Sequence, residues 1–175
     1  MNEKNWIQLF KEIHARGSAA WRAGRQSPST MFSSTDAASL HSIGCTTQEL
    51  FDFVDDLEGD GEPDLETVLA VQSIRRSYFL EVLKGQHATQ HASMASLPAK
   101  SAAVDGISWL PRLIVKARLK LRGEMPDELM YGCGGDRPFL RRMKTTLPAF
   151  LQLVWDCGDD DRKIIDSFKR TAGLS

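Results

Sequence analysis

The sequence is poor in cysteine: its three, Cys45, Cys133 and Cys157, are an odd number at wide spacing. This argues against a disulfide framework and against a four-thiolate zinc site. No apolar run approaches the roughly 20 residues that a membrane-spanning helix needs. Residues 1–17 also lack the apolar stretch of a signal peptide. We therefore expect a cytoplasmic protein with reduced thiols, no bound metal and no membrane association.

Net charge is nearly absent as well, at −1 from 22 basic and 23 acidic residues. No global field therefore attracts the chain to nucleic acid or to a membrane. The balance conceals two segments of opposite charge. Residues 49–66 contain nine acidic residues and neither lysine nor arginine, whereas residues 109–144 contain nine basic residues against four acidic ones. The sequence thus predicts an acidic end and a basic end.

What the chain does have is apolar residues at helical spacing. Its hydrophobic fraction of 42% is enough to bury a core. Trp6, Leu9, Phe10 and Ile13 form the apolar stripe of an N-terminal helix that is expected to end near Gly17. No segment shows convincing alternation with a period of two. We predict an all-α fold, a compact orthogonal bundle of about seven to eight helices.

Cap and turn residues divide the chain further. Residues 24–33 are rich in turn formers and predict a loop. A capping box at Thr46 and single caps at Asp64, Thr146 and Asp160 predict the starts of four helices. We expect four segments around one shared core: an N-terminal helix and loop (1–33), an acidic helical subdomain (34–85), a polar linker (86–105) and a basic helical subdomain (106–175).

Residues 56–67, DLEGDGEPDLET, partly match a calcium-binding loop of the EF-hand type. Asp56 stands at position 1 and Gly61 at position 6, as that loop requires. Position 12 is Thr67, which cannot supply the two oxygens of a bidentate glutamate. We therefore favour the alternative, an acidic turn whose Asp64 caps the next helix.

Residues 109–140, WLPRLIVKARLKLRGEMPDELMYGCGGDRPFL, carry the most distinctive pattern: Trp109-Leu110-Pro111-Arg112, Lys116-Ala117-Arg118, Lys120, Gly123, Cys133, Asp136-Arg137 and Phe139-Leu140. This block resembles a bacterial family known as domain of unknown function number 5069. The tail FLQLVWDCGDDDRKIIDSFKR and the segment from IGCTTQELF to RRSYFL are also similar to that family. Since the family carries no assigned reaction, cofactor or ligand, the resemblance implies boundaries and a central block but no activity.

The glycine loop 132–135 stands just before a predicted helix. Its glycines can adopt positive φ and expose backbone N–H groups, which together with the helix dipole form a cradle for an anion. Arg137 adds positive charge beside it. The alternative is a tight turn in which Asp136 lies near the cap and pairs with Arg112 or Arg118.

Other groups carry weaker signals. Cys133 lies near Arg137 and just before a helix, the surroundings that activate a thiolate, although a small buried hydrophobe is the simpler interpretation. His87 and His91 have the spacing of a zinc pair, but no third ligand is near in sequence, and we interpret them as part of the polar linker.

The basic helix predicted over residues 109–122 presents Arg112, Lys116 and Lys120 as one charged ridge. A phosphate-backbone footprint would have this form. With Trp109 as the only bordering aromatic residue, base stacking is poorly supplied, so we do not expect nucleic acid as a partner. The alternative is a solvated helix that meets the acidic segment 49–66.

We therefore expect a binding module for a small anionic ligand or an acidic partner surface. The first alternative is a small-molecule enzyme that uses Cys133 as nucleophile or Asp136 as acid and base in the same pocket. Nucleic-acid binding through the basic helix is a further alternative. No cofactor is predicted, and a homo-oligomer stays open. The predicted ligand-binding residues are Trp109, Arg112, Lys116, Cys133, Gly134, Gly135, Asp136 and Arg137.

Overall fold

The computed structural model describes residues 3–174, and for residues 3 and 4 only the backbone. Nine α-helices lie in this part of the chain: α1 (Glu3–Arg22), α2 (Pro28–Met31), α3 (Ser34–His41), α4 (Thr47–Asp60), α5 (Leu65–Glu81), α6 (Leu110–Arg122), α7 (Asp136–Arg142), α8 (Leu147–Cys157) and α9 (Asp161–Ala172). A 3-10 turn at Met94–Ser96 and an antiparallel hairpin of β1 (Ala103–Val104) and β2 (Ile107–Ser108) complete the regular structure. The all-α prediction is confirmed. None of the described helices is long and apolar enough to cross a membrane.

One cluster of buried apolar side chains connects both halves of the chain. Helices α4 and α1 pack together, and α5 packs against both α6 and α8. These contacts join the acidic and basic segments into one core. Each leucine or phenylalanine buried in it contributes roughly 1.5–3 kcal/mol relative to leaving it exposed. Its members include Trp6, Phe10, Leu50, Val54, Val68, Val71, Leu113, Ala117, Phe150, Leu151, Ile164 and Phe168.

The predicted caps are confirmed where each helix begins. Thr46 Oγ1 accepts the N–H of Glu49 at 3.1 Å, and the Glu49 carboxylate accepts the N–H of Thr46 at 2.9 Å. Asp64 accepts the N–H of Thr67 at 2.8 Å, while Gly61 closes α4 in the left-handed conformation. Residues 56–67 therefore comprise the end of α4, a turn at 61–64 and the start of α5.

Two boundaries differ from the sequence-based expectation. Helix α1 continues through Gly17 to Arg22. Gly17 does not end the helix but leaves room for the Phe32 ring, since a Cβ there would lie 3.0 Å from that ring. The predicted loop 24–33 contains the short helix α2. The hairpin was not expected either, since strands of two residues are too short to show alternation.

The predicted linker 86–105 is attached to the body of the protein at several points. The N–H of Ala92 donates to the carbonyl of Glu124 at 2.9 Å, and Arg112 Nη1 donates to the carbonyl of Pro98 at 2.8 Å. Leu97 is buried between these points. The segment thus brings its histidines to a defined place on the helical body.

Candidate functional site

Asp136 is the centre of a side-chain cluster within residues 109–140, the segment with the most distinctive sequence pattern. Its side chain is fully buried at the start of α7. The indole Nε1 of Trp109 donates to Oδ1 at 2.9 Å, the N–H of Gly132 donates to Oδ2 at 2.8 Å, and Lys116 Nζ forms an ion pair with Oδ2. Since a buried carboxylate is stable only when it is paired and hydrogen-bonded, these three donors compensate for its burial. The glycine-loop cradle that we predicted for a ligand is filled by a carboxylate of the chain itself.

Cys133 joins the same cluster from one side. Lys116 Nζ lies 3.3 Å from Cys133 Sγ, and the cysteine is partly exposed whereas the lysine is buried. Four of the predicted residues therefore converge, namely Trp109, Lys116, Cys133 and Asp136. Asp136 has no exposed side from which it could reach a substrate.

Trp109 is held against the glycine loop in an unusual backbone conformation. It connects β2 to α6 with φ 75° and ψ −30°, a region that large side chains rarely adopt. Its ring lies so close to Gly135 that a Cβ on that residue would be 2.6 Å from it. At Gly134 the nearest atom to an added Cβ would be Arg137 Nη2, at 3.8 Å. Gly135 is therefore needed for packing, while Gly134 is not.

The other two predicted cations, Arg112 and Arg137, pair with groups other than Asp136. Arg137 pairs with Asp56, lies 3.2 Å from Glu62 through Nε, and donates to the Gly132 carbonyl at 2.8 Å. Burial opposes the charge of Arg137, but the two carboxylates raise its pKa above the ordinary value. Arg112 donates to the carbonyl of Pro98. Each predicted cation thus already has a partner within the chain.

A second group of charged side chains, which the sequence reasoning missed, surrounds a cavity of about 30 Å³. The cavity lies between the start of α4, the middle of α5, the segment after α5 and the connection from α6 to α7. It is small, and both polar and apolar residues line it. The titratable residues that line it are Glu49, Asp52, Arg75, His87, His91 and Asp127.

Arg75 is the most unusual member of this second group. Its side chain is only 2% exposed, yet Nε and Nη1 are buried without a hydrogen-bond partner among residues 3–174. The guanidinium lies 5.4 Å from the centre of the Phe79 ring, and a Cβ on Gly123 would lie 2.5 Å from Nη2. Burial lowers the pKa of Arg75, and the charge of Glu49 offsets part of this effect. Leaving a cation buried in this way typically costs several kcal/mol.

Glu49 is engaged by a different cation. Lys120 Nζ lies 2.7 Å from Glu49 Oε1, and this lysine is also buried, with its ammonium 5.6 Å from the centre of the Phe53 ring. Burial alone would raise the pKa of Glu49, but the neighbouring ammonium holds it below the ordinary value. Because Glu49 pairs with Lys120, Arg75 forms no ion pair within 4.0 Å with any carboxylate of the described residues.

Asp52 and His87 also line the cavity, and both have altered pKa values. Burial raises the pKa of Asp52 to about 6, although Gln48 Nε2 donates to its Oδ1 at 2.7 Å. His87 stacks on His41 with ring centres 3.5 Å apart, and burial lowers the pKa of His87. Altered pKa values that cluster at one cavity are typical of functional sites.

The sequence does contain a signal for this site. Arg75 stands on the apolar stripe of α5, one turn after Val71 and one turn before Phe79, where a core residue is expected. Charged residues are rarely buried without a partner, so an arginine on such a stripe is informative. The rest of the lining comes from segments that are distant in sequence and that no local pattern joins.

No group of three or more His, Cys, Asp or Glu side chains that could bind a metal ion occurs among residues 3–174. No protein-family model, no curated protein and no solved structure matches this chain. The similarity of residues 109–140 to domain of unknown function number 5069 therefore stays a prediction, and the geometry of the two clusters is the basis for a functional hypothesis.

Proposed function

We propose that the protein binds a small anionic ligand and that Arg75 receives its negative group. The observation that carries this proposal is the buried guanidinium of Arg75, whose Nε and Nη1 have no hydrogen-bond partner among the described residues. A carboxylate or phosphate would supply the missing acceptors in charge-assisted hydrogen bonds, the geometry for which arginine is well suited. The ligand would thereby offset the desolvation that the fold imposes on this side chain.

The class of ligand is the one that the sequence favours, but its proposed position differs from the 109–137 block. In that block Asp136 engages Lys116, and Asp56 with Glu62 engages Arg137. A ligand anion there would have to compete with carboxylates of the chain that already pair with these cations, although Arg137 Nε makes no hydrogen bond to a described residue. At Arg75, Nε and Nη1 have no acceptor among the described residues, so a ligand that reached them would displace no carboxylate of the chain.

The dimensions of the cavity limit the ligand. A volume of about 30 Å³ admits a head group of a few atoms, since a single water needs roughly 10–15 Å³ on this measure. The remainder of a larger ligand would extend past the exposed Asp127. We therefore expect compact carboxylates or phosphates rather than extended polyanions.

Thermal shift with sodium acetate and sodium phosphate tests the proposal, with sodium chloride at equal ionic strength as the control for general salt effects. The melting temperature of the unmodified protein should rise with at least one of the two anions, and Arg75→Met should abolish that rise. Arg112→Met is the matched variant in the 109–137 block and should leave it unchanged. A rise that survives Arg75→Met but disappears in Arg112→Met would refute the Arg75 site.

The same variant separates a ligand-binding arginine from a structural one without any ligand. Methionine fills a similar volume and removes the unpaired charge, so Arg75→Met should leave the free energy of unfolding unchanged or raise it. If Arg75 were part of the architecture, its replacement would lower stability by several kcal/mol, as breaking a buried pair does. Urea unfolding in the absence of anions distinguishes these outcomes.

The enzyme alternative has less support at the position that the sequence favours. Asp136 is fully buried and saturated with donors, which suits a structural role better than that of an acid or base. Cys133 is partly exposed, but it borders the buried Lys116–Asp136 pair rather than the Arg75 cavity.

A further inference from the structure

The Arg75 cavity carries negative as well as positive charge. Asp52 and Asp127 line it together with Arg75, whereas the charge of Glu49 is neutralised by Lys120. A ligand with only negative charge would be attracted by the buried guanidinium and repelled by two carboxylates at short range. A ligand whose charge has only one sign is therefore complementary to only some of the charged residues that line the cavity.

Asp52 has an oxygen available for a ligand. Its Oδ1 accepts a hydrogen bond from Gln48, but no hydrogen bond reaches Oδ2 from the residues that the structure describes. The side chain is only partly buried, so Oδ2 belongs to a carboxylate that lines the cavity and still has acceptor capacity. No lysine or arginine of the described chain forms an ion pair with Asp52 within 4.0 Å. Lys120 acts on Asp52, and Glu49 on Arg75, only through the charge and without an ion pair within 4.0 Å among the described residues.

Asp127 adds a second carboxylate at the exposed edge of the cavity. It lies in the turn after α6, in which the N–H of Leu129 donates to the carbonyl of Pro126 at 3.0 Å. Asp127 is exposed to solvent and is not fixed by an ion pair among the described residues. The charge at the cavity thus changes from positive at the buried guanidinium to negative towards solvent.

We infer that the ligand of the Arg75 cavity is a small zwitterion, whose anionic group binds Arg75 and whose ammonium group binds Asp52. This inference rests on the proposed function, and it adds the ammonium group to the requirement for an anion. An ammonium supplies up to three donors in a compact shape, which suits the free oxygen of Asp52. Burial raises the pKa of Asp52 despite the charge of Lys120, so this carboxylate would be stabilised by a cation in direct contact. Discrimination would come from repulsion as well as attraction, because simple anions meet Asp52 and Asp127 without compensation.

Three sets of probes test the inference on the unmodified 175-residue chain by calorimetric titration. Glycine, β-alanine and γ-aminobutyrate carry both charges at increasing separation. Acetate and propionate carry only the anion, and methylammonium chloride carries only the cation. We expect at least one of the zwitterions to bind at least about tenfold more tightly than acetate, which corresponds to one additional charge pair.

Two variants separate the contributions of the two charges. Asp52→Asn should weaken the zwitterion about tenfold, to the level of acetate, and should leave acetate binding unchanged or stronger. Arg75→Met should abolish binding of both. Glu66→Gln removes the same charge from an exposed position on α5 that does not line the cavity, and it should change neither affinity.

The failure of this inference is distinguishable from that of the proposed function. If acetate binds as tightly as the zwitterions, and Asp52→Asn has no effect while Arg75→Met abolishes binding, the ligand is a simple anion and the zwitterion is excluded. If methylammonium binds and Arg75→Met has no effect on its affinity, the assignment of Arg75 as an anion-binding residue is wrong. If no probe binds, both the proposed function and the zwitterion are overturned for ligands of this size.

Discussion

The indole ring of Trp109 lies against the backbone of Gly135, where a Cβ would be 2.6 Å from the ring. Gly135→Ala should therefore destabilise the protein by about 1–3 kcal/mol, the range for inserting a methyl group into a packed site. The ring cannot move aside without losing the hydrogen bond from Nε1 to Asp136. Urea unfolding at equilibrium measures the change.

Gly134→Ala is the matched control one residue earlier. An added Cβ there would make only an ordinary contact with Arg137 at 3.8 Å, so stability should change by less than about 0.5 kcal/mol. Equal effects of the two substitutions would contradict the close packing of Trp109 and Gly135.

The buried pair of Lys116 and Asp136 predicts a strongly non-additive response. Lys116→Met leaves Asp136 as an uncompensated buried charge and should lower the free energy of unfolding by about 3–5 kcal/mol. Adding Asp136→Asn removes that charge, so the double variant should be more stable than Lys116→Met alone.

Lys163→Met, at an exposed position of α9, controls for the loss of a lysine and should be nearly neutral. A double variant that is as unstable as the sum of its parts would show that the two side chains are energetically independent.

Asp52 should make stability depend on pH in an unusual direction. Burial raises its pKa to about 6 from the ordinary value of 3.8, so the folded protein holds this proton more tightly than the unfolded chain does. Its contribution is therefore favourable at low pH and is lost as the pH rises through 6. Asp52→Asn abolishes the dependence and should stabilise the protein by about 3 kcal/mol above neutral pH, but hardly at all near pH 4.

The melting temperatures of the two proteins across this range provide the measurement. The difference between variant and unmodified protein should grow with pH and then become constant. A difference that does not change with pH would mean that the Asp52 carboxyl titrates normally.

The three cysteines should differ in their reactivity with iodoacetamide. Cys45 is buried, and burial raises the pKa of its thiol to about 12, so it should react only after unfolding. Cys133 and Cys157 are partly exposed and should be alkylated in the folded protein. Peptide mapping after timed labelling gives the order, and early labelling of Cys45 would contradict its burial.

Local features of the fold could be predicted from the sequence because they depend on neighbouring residues. The cap at Asp64 and the capping box at Thr46 each involve groups three residues apart. Gly17 shows the limit of such reasoning. A glycine that ends a helix and a glycine that packs beneath Phe32 are identical in sequence, and only the fold decides between them.

The site was harder to predict for the same reason. Lys120 was expected on a solvated ridge, yet it is buried against Glu49, which is 71 residues away in sequence. Charge counts locate the acidic and basic segments in the sequence, but they do not show which charges neutralise each other. Arg75 is recognisable as an unpaired cation only after every other partner in its surroundings has been assigned.

Segment 82–109 connects the acidic half of the chain to the basic half. Helix α5, which precedes this segment, packs against α6 and α8, which follow it. A protease cut in this segment would yield two fragments, each exposing half of a core. Glu49 and Asp56 on the first fragment would face Lys120 and Arg137 on the second. The molecule is thus suited to complementation from two separately produced pieces, whose reassembly would be guided by opposite charges and slowed by salt.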